Sequence, residues 1–328
     1  MFQKDQKISE GKTKIIWGVK DNPDLVIIEN KNDITAFDDP AFTKQFKSKA
    51  ENATIVTSNV FKLLKNAGIP VAFQEQISSN EFISPKCEMM PLEVVARRYA
   101  VGSFLKRHPE LISKENEMPH RFHKLVTEFF LKTTKGELIN TNGKKILEGL
   151  DPLKGEEDPF ILNPLDNEWK LFHSKKPIWE EQANFNKTIL MNEILGDDGL
   201  EKINEMEEIL RKAFLTLEGA WNTLGFRIID MKIEFGISQN GELMIADVID
   251  NDSWRLKDVD WEELSKEAFR QGEELNEVEK KYEFVASLTK KFRIPKQAVV
   301  FWRGSDSDPL PDMEILEKTN GVDIEIIT

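Results

Sequence analysis

The chain is poor in the residues that staple small folds or ligate soft metals. It has one cysteine, Cys87, and four scattered histidines in 328 residues. An internal disulfide, a cysteine-cluster metal site and a two-histidine ligand spacing are therefore ruled out, and a zinc enzyme is not expected. No run approaches the roughly 18 to 20 uncharged apolar residues that a bilayer crossing needs, and the opening MFQKDQKISEGK has no apolar secretion core. The expected compartment is the cytosol, without a membrane partner. Basic residues are also in deficit: 45 Lys and Arg against 58 Asp and Glu leave a net charge of −13. That balance repels a phosphate backbone, so general nucleic-acid binding is not expected, although local basic clusters can take small anions. What remains is ordinary globular stock, 40% hydrophobic and 31% charged, long enough for two or three structural units at about 150 residues each.

Residues 12–19 and 25–29 are apolar and β-branched on either side of Asp21-Asn22-Pro23-Asp24, which predicts a hairpin. Residues 58–67 place Val60, Phe61, Leu63 and Leu64 at helical spacing, with Gly68 and Pro70 as stop signals. Residues 71–73 and 81–83 return as strands. A β-rich lobe is thus expected over residues 1–90, with Pro91 as the boundary to a second lobe. Residues 133–158 are polar and weakly periodic, as in a surface insertion. Apolar periodicity predicts helices over 179–196 and 200–225, the second closed by Gly225. Strands over 226–235 and 242–248 follow, joined by Gln239-Asn240-Gly241.

This last hairpin is acidic where a buried one would be apolar. Alternation puts Asp230, Lys232 and Glu234 on one face and Met231, Ile233 and Phe235 on the other. Asp247, on the partner strand, falls near Glu234, and two carboxylates held together need a cation between them. Hard oxygen ligands with open positions suit Mg²⁺ better than zinc. The alternative is an exposed polar strand face paired with lysines.

Three further clusters handle anions. Glu10-Gly11-Lys12-Thr13-Lys14 has a glycine for close backbone approach and two lysines, but Gln6 stands where a Walker A loop needs glycine and a strand follows instead of a helix. A lysine-bearing strand after a glycine turn resembles how kinase-like lobes cover nucleotide phosphates; an exposed basic strand end is the other reading. Residues 97–107 gather Arg97, Arg98, Lys106 and Arg107 around Gly102-Ser103, a phosphate or carboxylate cradle unless it is a solvated helix face. Asp250-Asn251-Asp252-Ser253-Trp254-Arg255 follows the acidic hairpin directly, either as part of the same site or as a plain turn.

Taken together and in order, EGKTK, PLEVVARRYAVGSFLKR, DMKIEFG and ADVIDNDSWRL resemble the SAICAR synthetase family, the phosphoribosylaminoimidazole-succinocarboxamide synthases. The likeness covers about residues 7 to 293 and is to the animal-type form, where this domain precedes an AIR carboxylase. Residues 298–308 resemble the first strand and phosphate loop of that carboxylase, with a helix over 312–319 and a strand over 322–327 to follow, so the resemblance implies an α/β substrate and metal lobe over 91–293 and a short, truncated β-α-β segment over 294–328. The segment is expected to carry no carboxylase activity.

The resemblance implies an α+β, two-lobed fold with a kinase- or ATP-grasp-like nucleotide cleft. It implies a reaction in which CAIR and L-aspartate are joined at the expense of ATP with Mg²⁺, through an acyl phosphate. Lys12 and Lys14 are then the nucleotide-phosphate contacts, and Glu234 and Asp247 the metal ligands. Lys86, Glu88 and Met90 are the hinge against adenine. Arg97, Ser103 and Arg255 hold the phosphoribosyl and imidazole groups, helped by Lys266 and Arg270. Thr35 and Asp38, from NDITAFDD, lie near CAIR and aspartate, and Lys14, Asp38 and Lys232 are the catalytic candidates. Phe37 replaces a glycine common in the family, and Val248 replaces the acidic residue that follows Asp247 in shorter bacterial forms. A small-molecule kinase of the same plan and a non-catalytic purine-assembly subunit are the competing readings, and a homo-oligomer is left open.

Overall fold

A computed structural model describes residues 2–35, 43–114, 117–140, 143–293, 297–301 and 323–327, with Thr35 and the last two stretches described by backbone alone. The chain divides into two units, Met1–Phe292 and Arg293–Thr328.

The first unit opens with an antiparallel meander of β1 (Lys4–Glu10), β2 (Lys14–Val19) and β3 (Asn22–Asn30). Asp21 takes the tight turn at φ 61°, a left-handed conformation that aspartate tolerates. The first strand escaped the sequence reading because Ile8 is its one apolar residue. A short pair, β4 (Asp33–Thr35) and β5 (Thr43–Gln45), precedes α1 (Lys49–Asn66). That helix starts nine residues before the expected 58. Its first half buries Lys49, Asn52, Thr54 and Thr57, polar residues that hide the apolar period. β6 (Glu75–Gln76) and β7 (Glu81–Pro85) complete a five-stranded sheet in the order β1-β2-β3-β7-β6. The strand expected over 71–73 is reduced to a single bridge between Val71 and Ile245.

β8 (Cys87–Tyr99) carries the chain into a second sheet, followed by α2 (Ser103–Arg107) and β9 (Arg121–Leu131). The 133–158 segment folds as a hairpin of β10 (Leu138–Ile139) and β11 (Lys145–Leu147), and it sends Leu138, Leu147 and Leu150 into the main core. β12 (Phe160–Ile161), β13 (Glu168–Phe172) and β14 (Asn184–Leu190) come next. The helix expected over 179–196 is not formed: residues Glu181–Ala183 make a 3-10 turn, β14 pairs with β13, and only α3 (Met191–Leu195) is helical. A free strand partner outweighed a weak helical period there.

α4 (Gly199–Thr223) matches the second expected helix, and Gly225 closes it at φ 87° with its N–H on Asn222 O. β15 (Arg227–Ser238), β16 (Leu243–Ile245), β17 (Trp254–Lys257), α5 (Glu267–Arg270) and α6 (Leu275–Thr289) finish the unit. The eight-stranded sheet runs β14-β13-β12-β9-β8-β15-β16, with β17 also on β15. Pro91, the expected lobe boundary, falls inside β8. The β8–β15 ladder shifts register beside it, and its carbonyl accepts from Lys132 N at 2.8 Å. A proline at a bulge sacrifices no ladder donor.

One face of this sheet, with Val94, Ala96, Phe129, Met231, Ile233 and Phe235, shares the core with Leu210, Phe214, Leu217 and Trp221 of α4. The larger of these side chains contribute roughly 1.5–3 kcal/mol each on burial, so this face fixes the strand register. The opposite face is thereby committed to the polar residues.

In the second unit β18 (Gln297–Phe301) and β19 (Asp323–Ile327) pair in parallel, Gln297 opposite Asp323. The expected helix over 312–319 and the loop with Ser305 lie outside the described residues. Among the described residues no helix is long and apolar enough to cross a membrane.

Candidate active site

Because residues two apart share a strand face, β9, β8, β15 and β17 lay their polar side chains in three cross-strand rows. Arg97, Asp230 and Arg255 are direct neighbours; Glu128, Val95 and Lys232 form the next row; Phe130, Glu93 and Glu234 form the third. The site is thus a sheet face, with arginines at one end and lysines at the other.

At the arginine end, Asp230 Oδ2 accepts from Arg97 Nη1 at 2.6 Å and from Arg255 Nη1 at 2.5 Å. Glu128 takes Arg97 Nε at 2.5 Å and also Arg107, whose guanidinium donates to Ser174 O. The Arg97, Arg107, Glu128 and Asp230 side chains are 0–7% exposed. Burial alone would push the Glu128 carboxyl up, but Arg97 and Arg107 hold it below the usual range. Arg255 lies against Gly102, which caps α2 at φ 60°; a Cβ there would come within 2.9 Å of Arg255 Cζ. Glu267 Oε2 bridges Arg255 Nε at 3.4 Å and Arg270 Nη1 at 3.1 Å. These groups surround a cavity of about 230 Å³ lined by Arg97, Ser103, Asp158, Lys232, Arg255 and Arg270, among others.

At the lysine end, Lys14 pairs with Asp247, Lys132 with Glu234 at 2.6 Å and Lys232 with Glu93 at 2.6 Å. Burial pulls the Lys14 ammonium down to about 8, against Glu234 and Asp250, which raise it. A second cavity of about 210 Å³ is lined by Lys12, Lys14, Glu234, Asp247 and Lys266. The two cavities share Lys232, Asp252, Ser253 and Arg270.

Asp252 is fastened at this junction. It accepts from Tyr282 OH at 2.6 Å and Lys266 Nζ at 3.1 Å, and buried Lys49 reaches it and Asp250 at 3.4 Å each. Burial opposes its ionisation, but Lys49 and Lys266 overcome this and drive its carboxyl far below the usual range.

No group of three or more His, Cys, Asp or Glu side chains among the described residues converges on a metal position. Glu234 and Asp247 nevertheless put two carboxylates into one cavity, each already facing an ammonium group. Mg²⁺ is typically held by one or two carboxylates with phosphate oxygens and water completing its shell, so this donor set fits it.

Lys12, Lys14, Lys232, Glu234, Asp247, Lys266 and Arg270 meet in the lysine cavity; Arg97, Ser103, Lys232, Arg255 and Arg270 meet in the arginine cavity. Lys266, expected on the substrate side, lines only the former. Lys86, Glu88 and Met90 line neither: Lys86 N bonds Asp24 O, Glu88 stands opposite Ile237, and Met90 is buried. Thr35 sits in β4 opposite Thr43, and Asp38 lies outside the described residues. Sequence reasoning gave no role to Lys49, Glu128, Lys132 or Tyr282. The Glu128 signal was available: it alternates with Val126 and Phe130, while Leu125, Phe129 and Leu131 take the other face of the strand.

The chain matches the SAICAR synthetase family model over residues 7–157 and 175–288. It is 33% identical to the probable multifunctional protein ADE2 of Caenorhabditis elegans, over 92% of this chain and 62% of that protein. It is 32% identical to the phosphoribosylaminoimidazole-succinocarboxamide synthase of Chloroflexus aurantiacus, over 86% of this chain and 95% of that enzyme. A solved structure of a type-2 SAICAR synthetase in complex with ADP superposes with a TM-score of 0.63 at 26% identity, covering 86% of this chain and 97% of that one. The chain belongs to the SAICAR synthetase family, and the α+β fold expected from the sequence is the one it has. It spans less than two thirds of the worm protein and nearly all of the bacterial enzyme.

Proposed function

We propose that the chain is an ATP-dependent ligase of purine biosynthesis that joins CAIR to L-aspartate, giving SAICAR, ADP and phosphate. The observation that carries this reading is the wall common to the two cavities. A nucleotide held on the lysine side brings its γ-phosphate to Lys232, Asp252, Ser253 and Arg270, where an acceptor held on the arginine side also ends. A carboxylate is a poor electrophile. Its attack on the γ-phosphorus gives an acyl phosphate, and the aspartate amine then displaces phosphate from the acyl carbon. Such chemistry asks the protein mainly for positioning and charge neutralisation.

In this reading Lys12 and Lys14 hold the nucleotide phosphates, and Lys14 and Lys232 balance charge on the transferred group. Glu234 and Asp247 would hold Mg²⁺, which when bound neutralises phosphate charge and orients its oxygens. Arg97, Ser103 and Arg255 bind the phosphoribosyl end, with Arg270 and Lys266 at the junction. Thr35 and Asp38 serve CAIR and aspartate. The crossing between the two sheets at Lys86, Glu88 and Met90 serves adenine. The protein works in the cytoplasm on small molecules. Residues 294–328 are the start of an AIR carboxylase-like segment, to which we assign no activity; the worm match, at 92% of the chain, is longer than residues 1–293 can supply.

The test mixes the purified chain with CAIR, MgATP and L-aspartate and follows ADP and SAICAR. ATP use independent of aspartate, with a stable phosphorylated product, would replace a ligase by a kinase. Glu234→Gln and Asp247→Asn should each lower turnover roughly a hundredfold or more with the melting temperature held. Near-normal turnover at saturating Mg²⁺ would remove them as ligands.

A further inference from the structure

Among the described residues, every acid on the arginine-side cavity has an ion-pair partner except one. Asp230 serves Arg97 and Arg255, Glu93 takes Lys232, and Asp252 takes Lys49 and Lys266. Asp158 lines the same cavity and forms no ion pair among the described residues. Its Oδ1 accepts instead from Thr133 N at 2.8 Å and Thr133 Oγ1 at 3.4 Å, and its own N–H donates to Thr133 Oγ1 at 3.1 Å. This clasp closes the neck of the 133–158 insertion. The next residue is tied as well, since Pro159 O accepts from Leu131 N at 3.0 Å. Asp158 is held at φ 50°, a left-handed conformation uncommon for a residue with a side chain and kept only where the surroundings enforce it.

A carboxylate fixed on a cavity wall and left without an ion-pair partner selects a ligand that brings one. The proposed ligase reaction requires such a ligand, because its nucleophile arrives as an ammonium ion. We propose that Asp158 receives the ammonium group of the amino-acid substrate and accepts the proton it must lose before attacking the acyl phosphate. The inference rests on the ligase reading. The freed nitrogen lone pair forms the new C–N bond, the acyl C–O bond breaks with its electron pair leaving on phosphate, and the second nitrogen proton departs with that phosphate as its monohydrogen form. Asp158 passes the first proton to solvent. Burial pushes the Asp158 carboxyl up to about 6, with Glu93 and Glu157 adding to the rise and Thr133 and Lys132 opposing it. It is therefore a stronger base than an ordinary aspartate and still ionised at neutral pH.

Hydroxylamine separates this role from a structural one, because it is already neutral near pH 8 and traps an acyl phosphate as a hydroxamate without needing a base. With CAIR and MgATP, Asp158→Asn should form hydroxamate at nearly the wild-type rate, while SAICAR formation from aspartate falls roughly a hundredfold or more. Thr133→Val, which loosens the clasp but keeps the carboxylate, should show the same selective loss to a smaller degree. Equal loss with both nucleophiles in the two variants, or aspartate turnover within a few-fold of wild type in Asp158→Asn, overturns the assignment. A wild-type chain that makes neither product overturns the ligase reading, and this role with it.

Discussion

The two ends of the polar sheet face are built from cations of opposite temperament. At the arginine end the Arg97, Arg107, Glu128 and Asp230 side chains are at most 7% exposed, and Glu128 and Asp230 each serve two guanidinium groups. At the lysine end Asp247, Glu234 and Glu93 each pair with a single ammonium, and the side chains of Lys132 and Lys232 are 39% and 47% exposed. A guanidinium is a planar, pre-organised fork, whereas an ammonium is a hydrated point charge on a flexible stem. The first end is thus fixed before any ligand arrives. At the second, the lysines stand beside acids that a divalent cation and a triphosphate would claim, and they can move with little cost. A rigid grip suits a small phosphorylated acceptor that must be aimed; exchangeable pairs suit a nucleotide that must enter and leave.

The sharpest way to break this contrast is to cut one pair at each end. Glu128→Gln leaves Arg97 and Arg107 buried with no anion on that side, and stripping one partner from a buried ion pair typically costs about 3–5 kcal/mol. Lys132→Ala cuts a half-exposed pair and should cost about 1 kcal/mol or less. Denaturant unfolding of the two variants measures the difference, and comparable losses would mean that the two ends are equally rigid. Glu128→Gln should also raise the KM for CAIR more than that for ATP.

How much of this was legible before folding follows the same division. The lysine end was readable because its acids and cations fall on local patterns: the alternation of Asp230, Lys232 and Glu234, the glycine-lysine run at 11–14, and the turn after Asp247. The arginine end depends on cross-strand register. Arg97 meets Asp230 and Arg255 only because β8 and β17 flank β15 in the observed alignment, and no single segment encodes that. Glu128 stands alone as an acidic charge in its own segment; its two arginines come from residues 97 and 107. The misread helix over 179–196 and the unseen leucines of the 133–158 hairpin have a related cause. Short strands and sparse core positions yield to tertiary partners that a local period does not contain.

A smaller perturbation tests whether the arginine grip is a matter of shape as well as charge. Gly102→Ala adds a methyl group at a backbone conformation reserved for glycine and pushes it into the Arg255 guanidinium. Such backbone strain costs of order 1–3 kcal/mol, and the guanidinium must shift off Asp230 to make room. The expected outcome is a KM for CAIR raised about tenfold with the KM for ATP unchanged. Equal rises in both constants would show that the two cavities are not separately built.

The smallest effect has the opposite sign. Asp158 sits in the arginine-side cavity with its carboxyl raised from the ordinary 3.8 to about 6, so the folded chain binds its proton more tightly than the unfolded chain does. The stability this contributes is complete below pH 3.8 and is lost as pH rises through 6. Above that the charged group opposes folding. Asparagine keeps an acceptor for Thr133 N and carries no charge, so Asp158→Asn should be more stable than the wild type at pH 7 by about 1–2 kcal/mol. The gain should shrink as pH falls from 6 toward 4. Thermal melts of the two chains across this range measure it. A variant less stable than the wild type at pH 7 would make Asp158 a clasp for the insertion and nothing more. A more stable one is what a site residue kept at the expense of the fold predicts, and it would place the one uncompensated acid of the rigid end among the groups held ready for a ligand.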